Sequence, residues 1–108
     1  MFLIEPPAAI DGGEVTLTTK AGAELAIGIT WRHYGERELR ALLRTNATDA
    51  QLLAEMIKAW SGVGDFDGTP IEPSERAIAR LLDQLDEAAP KALFQAFNQA
   101  RRDAARKN

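Results

Sequence analysis

Apolar and polar positions first alternate along the chain and then change period. In "EVTLTTKAGAELAIGITW", Val15 and Leu17 share one face, and Leu25, Ile27, Ile29 and Trp31 share one face of a second run. A period of two belongs to strands with one buried side. Gly22, inside "TKAGA", supplies the loop residue of a short hairpin. The pattern predicts a β-hairpin over residues 14–34, after an irregular lead-in over residues 1–13 that holds Pro6-Pro7 and Gly12-Gly13. Two strands alone are marginal in water, so their apolar face has to lie on helices or on another chain.

From Gly35 the period lengthens. Leu39, Leu42 and Leu43 fall at i, i+3 and i+4 with charges between them, which predicts a short amphipathic helix that stops near Asn46. Thr48 and Gln51 stand at the capping-box spacing and open a second helix. Its apolar stripe is Leu52, Leu53, Met56, Ile57 and Trp60. Ser74 caps a third helix, with Glu75 in its positive first turn and Ala77, Ile78, Leu81, Leu82 and Leu85 on its buried face. The run "DEAAP" marks a corner, and Pro90 is tolerated in the first turn of a fourth helix that carries Leu93, Phe94, Phe97 and Ala100. The expected fold class is α+β: an N-terminal β-hairpin followed by about four α-helices, mainly helical. Residues 1–108 form a single domain, with a helical part over residues 35–105 and a polar tail over residues 106–108.

Composition narrows the function. The chain has 108 residues, the length of one domain, and no cysteine. Disulfide frameworks, thiolate zinc sites and cysteine nucleophiles are excluded. Thirteen basic residues against sixteen acidic ones give a net charge of -3, a poor balance for neutralising phosphates. The charge is uneven, because Arg101, Arg102, Arg106 and Lys107 gather at the end of the last helix. Helix macrodipoles favour cations there, and no aromatics interleave with these bases, so a solvated or partner-facing end is preferred to a nucleic-acid surface. No apolar run is long enough to span a bilayer, and the start lacks both a positive n-region and a sustained apolar h-region. The expectation is a soluble, cytoplasmic protein without membrane contact.

Candidate chemistry is sparse. Asp65-Phe66-Asp67-Gly68 looks like part of a calcium loop, but placing Gly68 at the sixth position puts Val63 at the first and Ser74 at the twelfth. Both outer ligands are then missing. Asp67-Gly68 instead predicts a type I′ turn, and Pro70 limits any pairing beside it to a short edge. His33 is the single histidine, with no partner nearby in sequence for a triad or a metal site. Asp83, Asp86 and Glu87 read as a solvated helix face. Gly62, Gly64 and Gly68 lack the preceding strand and following lysine of a phosphate loop. No enzyme activity, cofactor or metal is expected.

The order of these elements resembles the tail assembly chaperones of long-tailed bacteriophages and prophages. The resemblance covers roughly residues 14–104. It is carried by "EMIKAWSGV", "DFDGTPIEPSERAIARLL" and "ALFQAFNQA", and above all by Trp60, Gly62, Val63, Asp67, Gly68, Pro70, Ile71 and Ser74. It implies a non-enzymatic protein of the host-cell cytoplasm that keeps the helical tape-measure protein soluble and helps tail-tube subunits assemble around it. It also implies self-association into a homo-oligomer and, in many members, a longer product made by ribosomal frameshifting. No catalytic, cofactor or metal residue follows from it. For the partner contact, Met56, Phe94, Phe97 and Arg101 are the residues singled out, while the i, i+3 spacing of Phe94 and Phe97 is in the first place that of core residues. Two other readings stay open: a small nucleic-acid-binding regulator, and another structural or minor tail protein of a phage.

Overall fold

The computed structural model describes residues 9–106. Strand β1 (Ala9–Thr18) and strand β2 (Glu24–Arg32) form the hairpin, antiparallel, with Val15 opposite Ile27 and Leu17 opposite Leu25. The first strand starts earlier than its alternation indicated. Residues 9–13 of the expected lead-in belong to β1, and residues 1–8 lie outside the described residues. The cause is a bulge between Asp11 and Glu14, which breaks the period of two and hides the strand from pattern reading. At that bulge Gly12 presses on the Trp31 indole, where a Cβ would stand 2.3 Å from Nε1.

Helix α1 (Glu36–Leu43) and helix α2 (Asp49–Met56) follow. The capping box of α2 is made in full: Gln51 N–H donates to the Thr48 hydroxyl at 3.2 Å, and Thr48 N–H donates to the Gln51 side chain at 2.9 Å. The helix does not run on to Trp60. It ends at Met56, and residues Ile57–Ser61 become strand β3, which pairs antiparallel with β2 and makes it the centre of a three-stranded sheet. The expected helical part, residues 35–105, therefore contains a strand. Ile57 and Trp60 are three apart, which puts them on one face of a helix but on opposite faces of a regular strand. One extra residue, Lys58, bulges between the pairs Trp31–Ile57 and Thr30–Ala59, and returns Trp60 to the inner side opposite Ile29.

Helix α3 (Glu75–Gln84) starts on the predicted Ser74 cap, whose hydroxyl accepts from Ala77 N–H at 3.1 Å. Leu85 lies just beyond the helix rather than on its face, and bridges to Thr19. Lys20 N–H donates to the Gln84 carbonyl and Asp86 N–H to the Thr18 carbonyl, so the corner after α3 is tied to the hairpin tip. Helix α4 (Ala89–Arg106) carries Pro90 in its first turn and absorbs Arg106 of the expected tail; residues 107–108 lie outside the described residues.

The result is the expected α+β class, in two layers. One face of the sheet carries Val15, Leu17, Ile27, Ile29, Trp31 and Ile57, all buried, while Thr16, Ala26, Ala59 and Ser61 on the other face are exposed. From α4, Leu93, Phe97 and Ala100 close over the inner face. Trp31 and Phe97 meet edge to face at 5.3 Å and are the largest fully buried side chains. Burying each contributes roughly 2–3 kcal/mol.

Candidate functional site

Helices α1, α2 and α4 converge on an apolar groove of about 190 Å³. Each contributes a pair of side chains one turn apart: Leu39 and Leu43, Leu52 and Met56, Phe94 and Phe97. Helical neighbours at i, i+3 or i, i+4 stack on one face, so three short amphipathic runs are enough to line a continuous surface. Met56 and Phe97 are only 1% and 2% exposed and form the floor with Leu39. Leu52 and Phe94 are half-buried at the rim, and Leu43 is 54% exposed.

Three of the four residues singled out for partner contact, Met56, Phe94 and Phe97, thus come together in one groove. Met56 and Phe97 are core side chains beneath the surface, and of the three only Phe94 reaches the rim. Arg101 lies one turn further along α4, its guanidinium 5.9 Å above the Phe97 ring. The residues that sequence reasoning missed are Leu39, Leu43 and Leu52. Their spacing was visible in the chain, but the face that each helix leaves open depends on how the helices pack.

The groove adjoins two wider hollows. Towards the end of α4, His33, Tyr34, Arg101, Arg102 and Ala105 line a space of about 500 Å³ that reaches Asn98. Towards its start, Asp49, Glu87, Pro90, Lys91 and Gln95 line one of about 400 Å³ that shares Phe94 and Asn98 with the groove. The Tyr34 hydroxyl donates to the Glu55 carbonyl, and Arg32 donates to the same oxygen at 3.3 Å. These bonds satisfy a carbonyl in the last turn of α2. Partial burial, with Glu55 nearby, raises the pKa of the Tyr34 phenol above its ordinary value. His33 is half-buried in this hollow.

The stretch from Trp60 to Ser74 is a pin between β3 and α3. The Trp60 indole N–H donates to the Ile71 carbonyl at 2.7 Å, and Gly64 bridges to Pro70, the short edge expected beside a proline. At the tip, Asp65 N–H donates to the Thr69 carbonyl at 2.7 Å and Gly68 N–H to the Asp65 carbonyl at 2.8 Å. The predicted type I′ turn is not formed. It needs two residues with φ > 0, and only Gly68, at φ 87°, has one. The loop has three residues and ends on a left-handed glycine, with the same bonds as the Thr19–Ala23 loop of the hairpin. Both aspartates serve the backbone. Asp67 accepts from Thr69 N–H at 2.9 Å, and hydrogen bonds from the Thr69 backbone and hydroxyl hold its carboxyl below the usual range. Asp65 accepts from Phe66 N–H at 2.8 Å and meets Arg80 of α3 at 3.4 Å.

Among the described residues, no group of three histidine or acidic side chains is placed to hold a metal ion, and no helix is long and apolar enough to cross a membrane. No family model, curated protein or solved structure matches the chain.

Proposed function

We propose that this chain is a non-enzymatic tail assembly chaperone that binds the tape-measure protein in the host-cell cytoplasm during phage tail morphogenesis, with tail-tube subunits and further copies of itself as additional partners. The observation that carries the reading is the groove between α1, α2 and α4. It presents half-exposed Leu43, Leu52 and Phe94 above a buried floor, the arrangement that receives an amphipathic helix through anchors one turn apart. The Trp60–Ser74 link adds support, because residues of the chaperone resemblance make its contacts: Trp60 bonds Ile71, Pro70 bridges to Gly64 and Ser74 caps α3. A tape-measure protein is a long helix with apolar stripes, and a chaperone has to cover such stripes reversibly. Small grooves achieve this through contacts that differ mainly in dissociation rate.

Co-expression with the tape-measure protein of the same gene cluster tests the proposal. A soluble complex is expected, with the chaperone absent from finished virions. A tape-measure fraction that stays insoluble to the same extent with and without this chain would overturn it. Presence in purified virions would favour a structural tail component instead.

A further inference from the structure

The three hollows along α4 are one trough. The groove shares Phe94 and Asn98 with the hollow near Pro90, and Asn98 with the hollow near Ala105. From Pro90 to Ala105 the trough follows about four turns of α4, roughly 22 Å at 1.5 Å per residue. A helix of about fifteen residues has that length. The polarity of the trough is uneven. Its middle is apolar, one end holds Asp49 and Glu87 with Lys91, and the other holds Arg101, Arg102 and His33.

We propose that the occupant is an amphipathic helix of the partner whose apolar stripe fills the groove and whose carboxylates, at one end of that stripe, pair with Arg101 and Arg102. This inference rests on the chaperone reading and names the chemistry of the client segment. Arginine favours the role, since its planar fork takes carboxylates two bonds at a time. Each guanidinium group already has a contact on α4. Arg101 lies over Phe97 at 5.9 Å, and Arg102 donates to the Gln99 side chain at 3.0 Å. An acid-tipped helix is guided by these charges, whereas one with basic residues at that point is repelled. The opposite end, with Asp49 and Glu87 against a single Lys91, offers carboxylates no such partner.

The test uses the full chain and the co-expressed tape-measure protein, with affinity measured over a series of salt concentrations. Reversing both charges (Arg101→Glu with Arg102→Glu) is expected to weaken binding about tenfold at low salt and to flatten its salt dependence. The lysine pair (Arg101→Lys with Arg102→Lys) keeps the charge but not the bidentate fork, so it should retain the salt slope and lose less affinity than the reversed pair. Thermal melts confirm that each variant folds, and reversal of Lys20 and Arg76 together, both exposed and outside the trough, controls for the same change in net charge. Equal binding and an unchanged salt slope in the reversed variant would overturn the inference and leave the chaperone reading standing. No binding by the wild-type chain would overturn both. Displacement of the client by duplex DNA, lost on charge reversal, would assign the basic end to nucleic acid and overturn the inference.

Discussion

Gly68 stands at φ 87°, and no atom lies within 4 Å of where its Cβ would point. Space is therefore not what demands glycine there; the backbone conformation is. A side chain branched at Cβ is strained in that region, so Gly68→Val is expected to destabilise the fold by about 1–3 kcal/mol. In a domain of this size that lowers the melting temperature by at least about 4 °C, and an unchanged melt would mean that the loop can take up another turn. Asp-Gly was readable as a turn because the preference of glycine for positive φ is intrinsic. The turn type was not, because the length of the loop follows from which backbone groups pair across it. Here Asp65 pairs with Thr69, leaving three residues between them. Phe66, 96% exposed at the tip, stands alone, and a single exposed apolar side chain needs no further account.

At the scale of elements, the helix starts and the end of α2 behave differently. Thr48 and Ser74 cap their helices through bonds to residues three positions away, so both starts were legible in the chain. The end of α2 was not. Met56, Ile57 and Trp60 continue a helical stripe, and local pattern alone extends the helix through them. Pairing with β2 overrides it: Ile57 opposite Trp31 is buried and Trp60 opposite Ile29 is half-buried, while the bulge absorbs the odd spacing. Trp60 then fastens the strand to the loop that follows. Trp60→Phe keeps the ring and removes the 2.7 Å bond to the Ile71 carbonyl, which should cost about 1–2 kcal/mol in a denaturant titration. A variant as stable as the wild type would show that water replaces the indole at that carbonyl.

For the whole molecule, the helices lie on one side of a three-stranded sheet, in a body of 53 × 28 × 22 Å. The interior and the groove share side chains, since Phe97 packs on Trp31 below and forms the groove floor above. Phe97→Ala should therefore destabilise the fold by about 3–5 kcal/mol. Leu43→Ser, at a 54% exposed rim position, should change stability by no more than about 0.5 kcal/mol yet weaken client binding. Parallel melts and binding assays separate the two, and loss of stability in the Leu43 variant would place that residue in the core. The α+β class, the hairpin, the helix caps and the loop glycines were determined by the chain itself, because each rests on intrinsic backbone preference or on bonds between near neighbours. Strand β3 and the groove that Met56 and Phe97 floor were decided only in the tertiary structure. Those features depend on which distant side chains compete for the same inner face, and a one-dimensional pattern does not order that competition.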